Sequence, residues 1–173
     1  MAKGGKLPES VNITIDERVF NQNVLDNLMK IYNYEAWYGG QSSGKSWGIC
    51  QRKLLHLTLL PMRNMMCLRT QSTDCFDSFW GQMLTAMEQL KLNEFWEVRR
   101  SDHRLTNRIN GNSIYFDGVD KIENIKSFKP EKGNLTDVWY EEATEEPQKA
   151  TLLTIDGRLR DEFQKCSLIV SFN

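Results

Sequence analysis

The stretch "WYGGQSSGKSWGI", residues 37–49, decides the fold of this chain. Gly39, Gly44, Lys45 and Ser46 occupy the fixed positions of the spacing G-x-x-x-x-G-K-S. Glycines let the backbone curl so that its N–H groups converge on an anion, and the helix that follows adds the positive end of its dipole. In such a loop the lysine reaches the terminal phosphates of a nucleotide, and the serine hydroxyl serves Mg²⁺. The stretch therefore predicts a phosphate-binding loop between a strand and a helix.

The residues on both sides of the loop supply that context. The segment "NYEAWYGG", 33–40, is typical of a short strand that runs into glycines. After the loop, apolar residues recur at steps of three and four until Pro61, as on a helix with one buried stripe; they are Trp47, Cys50, Leu54 and Leu57. The alternative, a chance match in a Gly/Ser-rich loop, would not be expected to have both flanks.

The remainder of the chain alternates between the two kinds of element. Helical periodicity is predicted for 18–32, for a segment beginning at Asp74, and after Pro147. Strands are predicted at 64–70, 135–145 and 166–173, and "RLTNRINGNSIYFDG", 104–118, indicates a hairpin turning at "NGN". The order predicts an α/β fold: a mostly parallel sheet flanked by helices, with a hairpin insertion near 98–118 and an incomplete C-terminal end. Residues 1–16 are predicted to be a polar lead-in, and residues 17–173 a single domain.

Composition narrows the class of protein. The chain has 173 residues, of which 40% are hydrophobic, and its net charge is -1, so we expect one globular domain and no uniformly cationic surface. A local excess of eight basic over five acidic residues at 99–132 indicates either a DNA-facing surface or a solvated hairpin face. No apolar run is long enough for a membrane span, so no membrane partner is expected. Four scattered cysteines and two histidines make a zinc site improbable and favour reduced thiols.

Paired acids follow the predicted strand at 135–145. In "DVWYEE", residues 137–142, an apolar stretch ends at Glu141 and Glu142. A nucleoside triphosphatase needs one carboxylate near Mg²⁺ and a group that orients the attacking water. We expect Glu141 to serve the metal and Glu142 the water. The alternative is a solvated acidic loop, because Glu145 and Glu146 follow closely.

The last predicted strand also ends in polar residues. In "LIVSFN", 168–173, Ser171 and Asn173 close an otherwise apolar run. If this strand lies beside the acidic one, its polar end could touch the γ-phosphate or its water. The alternative is a strand that simply becomes polar where it ends.

Taken in order, these motifs resemble the large terminase subunit of tailed bacteriophages, the motor that packages DNA into the prohead. The resemblance covers about residue 30 to the end of the chain. Its middle segments are specific to that family and are not general nucleotide-binding motifs. The matching segments are "YGGQSSGKS", "MMCLRT" with "DSFW", "GNSIYFDGVDKIENIKS", "VWYEEATE", "TIDGRLR" and "SLIVSFN".

The resemblance implies an additional-strand P-loop ATPase fold and a set of roles. ATP and Mg²⁺ are the implied cofactors, with Glu142 and Lys45 catalytic and with Ser46 and Glu141 at the metal. The implied nucleotide-binding residues are Gly39, Gly40, Gln41, Ser42, Ser43, Gly44, Lys45, Ser46 and Asn173. The implied partners are double-stranded DNA, the small terminase subunit and the portal of the prohead. We also expect a homo-oligomeric ring during packaging, a monomer in isolation, and a location in the host bacterial cytoplasm.

One position departs from the family pattern. Relatives often carry an arginine where this chain has Gln41, so positive charge for the γ-phosphate must come from elsewhere. An arginine that stabilises this transition state is worth several orders of magnitude in rate. Four cations are candidates in cis or in trans: Arg69, Lys126, and, as the predicted catalytic pair, Arg158 and Arg160. The alternative for each is a structural ion pair.

Length is the second departure. Large subunits of this family continue into a nuclease domain, so we expect a truncated ATPase domain that carries no endonuclease. A different function remains open: a weak or inactive nucleotide-binding remnant that acts as an assembly module. A third, a helicase-like P-loop ATPase, predicts duplex unwinding, and the family-specific middle segments argue against it.

Overall fold

The computed structural model describes residues 12–143 and 149–173, which form a seven-stranded open sheet. The strands are β1 (Tyr34–Tyr38), β2 (Asn64–Arg69), β3 (Trp96–Arg99), β4 (Arg104–Asn107), β5 (Ser113–Gly118), β6 (Leu135–Glu141) and β7 (Ser167–Phe172). Their order in the sheet is β1-β7-β6-β2-β5-β4-β3. The first five strands in this order are parallel to their neighbours, while β4 pairs antiparallel with both β5 and β3 at one edge. The predicted mostly parallel α/β fold is confirmed.

Helices cover both faces of this sheet. The helices are α1 (Gln22–Asp26), α2 (Lys45–Leu59), α3 (Ser72–Gln89), α4 (Ile122–Ser127) and α5 (Lys149–Asp156). Alternate residues of β2 and β6 belong to two separate apolar clusters: Cys67 and Trp139 pack with α2 and α3, whereas Leu68 and Tyr140 pack with α4 and α5. This is the side-chain alternation of a strand buried on both faces. No helix among these described residues is long and apolar enough to span a bilayer.

The helix predicted at 18–32 is wrong in extent. A short 3-10 helix at Glu17–Val19 is followed by the separate α1. The Asn21 side chain accepts a hydrogen bond from the Val24 N–H, which starts a new helix inside the predicted one. Val24 is nevertheless buried, so the apolar periodicity identified buried positions better than it identified a continuous helix.

The predicted hairpin is present, and it is part of the main sheet. Strands β4 and β5 pair antiparallel, while β5 also pairs with β2. Its turn is anchored to the end of α2, because Asn110 and Asn112 donate amide hydrogen bonds to the Leu57 carbonyl at 3.0 and 2.9 Å. Strand β3 and helix α4 were not predicted as elements, and the proposed helix start at Pro147 lies outside the described residues.

Helix α2 is buried more completely than a single apolar stripe predicts. All of its residues from Gly48 to Thr58 are buried, including two cations. Arg52 pairs with Glu35 at 2.6 Å, and Lys53 pairs with Asp137 at 2.7 Å. These partners offset the cost of taking the charges out of water, so the helix can lie inside the fold.

Candidate functional site

The loop between β1 and α2 has the backbone of a phosphate cradle. Gly44 precedes α2 with a φ of 78°, in the left-handed region that glycine adopts most easily. Gly39 has a φ of 150°, and an added Cβ there would lie 3.2 Å from Ser43 Oγ. The curl therefore depends on the glycines that the motif specifies.

Lys45 lies over this loop. Its ammonium donates to the carbonyl of Gly40 at 3.2 Å and to Ser43 Oγ at 3.3 Å, and it also contacts the Gly39 carbonyl. A further bond of 3.0 Å joins it to Asn173 Oδ1 at the end of β7. The structure thus brings the lysine of the loop and the last predicted nucleotide-binding residue into direct contact.

The loop opens into a cleft of about 360 Å³ at the carboxyl ends of the parallel strands. Ligands of open α/β sheets bind at this edge. The lining residues are Gln41 to Trp47, Arg69, Ser78, Gln82, Glu141, Glu142 and Ser171 to Asn173. Residues of the phosphate loop, of helices α2 and α3, and of the ends of β2, β6 and β7 thus converge on one cavity.

Ser46 and Glu141 form the pair predicted to serve the metal. The Ser46 hydroxyl donates to Glu141 Oε1, and only 6% of Glu141 is exposed. Burial raises the pKa of this carboxyl above its ordinary value, although the bonds from Ser46 and Arg69 oppose the shift. Mg²⁺ prefers hard oxygen ligands and usually takes only one or two carboxylates beside phosphates and water. A hydroxyl and a carboxylate that already touch fit such an ion.

Arg69, at the end of β2, joins the two acids. Its Nε lies 3.1 Å from Glu141 Oε2, and its Nη2 lies 2.5 Å from Glu142 Oε2. Successive strand residues normally face opposite sides of a sheet. Glu142 has a φ of 53°, outside the strand region, which allows both acids to meet one guanidinium.

The end of β7 borders the same cleft. Ser171 is buried, and its Oγ accepts a 2.9 Å hydrogen bond from the Trp139 indole. The Ser171 carbonyl accepts a 3.1 Å bond from the Ala143 N–H, just after the acids. This strand therefore fixes the segment that carries Glu142, a role that the sequence did not predict for it.

Arg158 and Arg160, predicted to be catalytic, do not reach this cleft. The Arg158 guanidinium donates to the Phe128 carbonyl. Arg160 lines another cavity with Asn33, Asn134 and Cys166. Those three residues directly precede β1, β6 and β7, so Arg160 lies at the amino ends of the strands, opposite the phosphate loop. Of the four candidate cations, Arg69 is the one that lines the cleft of its own chain.

Two cleft residues from α3 were not singled out in the sequence. Ser78 Oγ lies 3.5 Å from Glu141 Oε2, and Gln82, one turn later, has a buried Oε1 with no hydrogen-bond partner among the described residues. The available signal was a pair of polar residues four apart within the apolar periodicity of a helix. That signal does not by itself say what the pair faces.

Most of the chain matches a known protein family. The family model described as phage terminase large subunit matches residues 32–173. A curated relative, the large terminase subunit of Bacillus phage SPP1, is 34% identical over 107 residues, which are 62% of this chain and 25% of that protein. The chain therefore spans about a quarter of the length of this relative.

Solved structures share the fold at low sequence identity. The large terminase of a thermophilic bacteriophage has a TM-score of 0.68 at 13% identity, covering 89% of this chain and 39% of that one. The same protein is also known in complex with ADP. The Phi-28 gp11 DNA packaging motor has a TM-score of 0.56 at 14% identity, covering 91% of this chain and 50% of that one.

Proposed function

This chain belongs to the phage terminase large-subunit family, and we propose that residues 17–173 form its ATP-hydrolysing domain. The observation that carries the proposal is the set of contacts at the phosphate loop. Ser46 touches Glu141, and Arg69 holds both Glu141 and Glu142 at the mouth of the same cleft. The residues proposed as phosphate cradle, metal ligands, base and source of positive charge all line one cleft, which supports the proposal.

Different groups of the chain bind the phosphates, hold the metal and orient the water. The N–H groups of the loop and the Lys45 ammonium hold the β- and γ-phosphates, and Asn173 orients the ammonium. Mg²⁺, when bound with ATP, would be held by Ser46 and Glu141 and would offset the negative charge that develops on the phosphates. Glu142 orients the attacking water, as the catalytic residue of such enzymes does.

Arg69 is the proposed source of positive charge in this chain's own site. Gln41 cannot supply that charge, and Arg69 lines the cleft between the two acids. When phosphate enters, it competes with the carboxylates for the guanidinium, and transfer of Arg69 to the phosphate would free Glu142. For Arg158 and Arg160 we keep the prediction of a role in trans, as a source of positive charge in the site of a neighbouring copy.

In its wider setting we propose that ATP hydrolysis by this domain drives double-stranded DNA into the prohead. The proposal includes the portal and the small terminase subunit as partners, a ring of copies during packaging, and the host cytoplasm as location. It rests on the family and on the similarity to a DNA packaging motor. Of the eight basic residues at 99–132, three pair with acids: Arg99 with Glu97, Arg104 with Glu131, and Lys126 with Glu123. The other five are candidates for contact with the DNA backbone.

Two variants of the 173-residue chain test the proposed activity. Lys45→Ala should abolish heat on titration with ATP and Mg²⁺. Glu142→Gln should bind ATP like the unmodified chain and release phosphate about 100-fold or more slowly, because it loses the general base. Glu162→Gln is the matched control, because Glu162 is an exposed carboxylate at the opposite end of the strands. It should change neither ATP binding nor phosphate release.

These measurements distinguish an ATP-hydrolysing domain from a weak or inactive nucleotide-binding remnant. Normal phosphate release by Glu142→Gln would remove Glu142 from the catalytic role. No heat and no thermal stabilisation of the unmodified chain by ATP and Mg²⁺ would favour the nucleotide-binding remnant that acts as an assembly module.

A further inference from the structure

The segment "FDGVDKI", residues 116–122, lies within the stretch matched by the family model but has no role in the chemistry above. It contains the end of β5 and the 3-10 helix Val119–Lys121. In the parallel pairing of β2 and β5, Gly118 is the register partner of Arg69. The segment therefore begins beside the backbone of the arginine that holds the two acids.

Asp120 binds the turn that follows Arg69 from two sides. Its backbone N–H donates to the Thr70 carbonyl at 3.0 Å, and its Oδ1 accepts a 3.1 Å bond from the Ser72 N–H. Ser72 is the first residue of α3, and Gln71, the residue before it, makes no capping hydrogen bond with its side chain. Asp120 thus caps α3 from a different segment and ties residues 70–72 to the end of β5.

Gly118 makes this approach possible. A Cβ on Gly118 would lie 2.1 Å from Asp120 Oδ1 and 2.2 Å from the Ser72 nitrogen. Its φ is -109°, which other residues adopt readily, so the requirement is for space. The hydrogen bond between Asp120 and Ser72 runs directly past the Gly118 Cα, where no side chain fits.

Apolar packing also anchors the segment 116–122. Val119 and Ile122 pack against the apolar cluster that includes Leu68 of β2 and Ile125 of α4. Asp120 is therefore presented by an anchored turn. The backbone is therefore held on both sides of Arg69. The residues before it pair with β5 and β6, and the residues after it bind Asp120.

We propose that Asp120 is a positioning residue for Arg69. Its backbone N–H fixes Thr70 and its carboxylate fixes Ser72, and the carboxylate bond completes the turn that sets the direction in which the Arg69 side chain leaves β2 and reaches Glu141 and Glu142. Asp120 itself does not line the nucleotide cleft. Its effect on catalysis rests on the proposed function and passes through Arg69 alone.

Steady-state kinetics with matched variants test this role. Asp120→Ala should lower kcat for ATP about tenfold with KM within about twofold, because a displaced catalytic group costs up to about 100-fold in rate. Asp120→Asn keeps an acceptor oxygen and should stay within about twofold of the unmodified chain in both constants. Asp161→Ala is the control, since it also removes a carboxylate that accepts a backbone N–H bond, from Phe163 at 2.8 Å, at the other end of the strands.

A double variant separates positioning from general stability. In an Arg69→Ala background, Asp120→Ala should not reduce kcat further, because the residue through which it acts is gone. An equal reduction of kcat with and without Arg69 would overturn the proposal. So would an Asp120→Ala variant with a lower Tm and an unchanged kcat, which is the result expected of a helix cap and nothing more.

A measurement without ATP keeps this proposal distinct from the proposed function. The Nε–H resonance of Arg69, assigned by its loss in Arg69→Lys, should shift in Asp120→Ala and stay in place in Asp120→Asn and Asp161→Ala. If the unmodified chain does not hydrolyse ATP, the proposed function fails, and this resonance still decides the role of Asp120. An unchanged resonance in Asp120→Ala would overturn it.

Discussion

Arg69 Nη2 lies 2.5 Å from Glu142 Oε2, in a cleft where the same guanidinium also reaches Glu141 at 3.1 Å. The acid proposed to orient water is therefore paired with a cation. A carboxylate bound in this way has fewer free lone pairs for water. Hydrolysis by this chain is expected to require that Arg69 first moves toward the nucleotide.

Replacing Arg69 tests that expectation. Arg69→Ala should lower kcat by about 100-fold or more, because an arginine at the transferring phosphate contributes at least that much in related mechanisms. Arg69→Lys keeps the charge but loses the planar fork, so we expect an intermediate kcat. Phosphate release at saturating ATP is the measurement, and Arg18→Ala, an exposed arginine near the amino end of the described chain, is the control. A kcat of Arg69→Ala equal to that of the unmodified chain would assign Arg69 a purely structural role.

Glu141 gives a pH-dependent prediction with a definite sign. Burial raises the pKa of Glu141 in the folded chain, so the folded state holds its proton at a pH where the unfolded state has lost it. Stability is then lost as pH rises from the ordinary glutamate pKa through the raised one. Glu141→Gln removes the buried charge and should raise the Tm at pH 8, with a gain that shrinks toward pH 4.

The Tm of Glu141→Gln is to be measured across this pH range by calorimetry without nucleotide. Glu142→Gln is the control, because 35% of the Glu142 side chain is exposed and its charge is better solvated. A gain in Tm for Glu141→Gln that is the same at pH 4 and pH 8 would contradict the assigned cause.

The sequence predicted most of this site because its signals are local. The phosphate loop and the acids after β6 are contiguous motifs, and apolar runs marked the strands that carry them. The position of Arg69 was not predictable, since it depends on β2 lying between β6 and β5, a pairing between segments about 50 to 70 residues apart. Arg158 matched a family segment equally well, yet its guanidinium binds the Phe128 carbonyl elsewhere in the fold.

The burial of the charged residues in α2 was not predictable for a similar reason. Lys53 and Arg52 look like the solvated side of an amphipathic helix, and their partners come from other parts of the chain. Periodicity predicts which positions can be buried, but it does not reveal a carboxylate 84 residues away that makes burial of a lysine tolerable. The complete burial of α2 therefore follows from tertiary pairing.

Asp137 lies at the centre of that buried network and should be its most sensitive member. Its carboxylate binds Lys53 at 2.7 Å and Arg63 at 2.7 Å, and all three side chains are at most 2% exposed. Burial opposes ionisation, but the two cations outweigh it and hold the pKa of Asp137 below its ordinary value. Asp137→Asn leaves two buried cations facing each other, whereas Lys53→Met leaves a neutral pair of Asp137 and Arg63.

We therefore expect Asp137→Asn to cost at least about 3–5 kcal/mol of unfolding free energy, the usual cost of an uncompensated buried charge. Lys53→Met should cost less. Urea unfolding of both variants gives the comparison. If Lys53→Met is the more destabilising of the two, the net charge of the cluster is not what controls its stability.

Two glycine-to-alanine substitutions should change stability in opposite directions. At Gly118 a Cβ would lie 2.2 Å from the Ser72 nitrogen and 2.7 Å from the Gln71 carbonyl carbon, so backbone must move. Overpacking of this kind costs about 1–3 kcal/mol. Gly81 is exposed in the middle of α3, and nothing lies within 4 Å of its added Cβ.

Gly81→Ala should therefore stabilise the chain by about 0.5–1 kcal/mol, because alanine is the better helix former and no contact opposes it. Urea unfolding of both variants tests the pair under one condition and with the same chemical change. Since Gly118→Ala also displaces the turn held by Asp120, it should reduce kcat, while Gly81→Ala should leave kcat unchanged. Destabilisation by both substitutions would mean that space at Gly118 is not the controlling factor, and equal kcat values would separate this turn from Arg69.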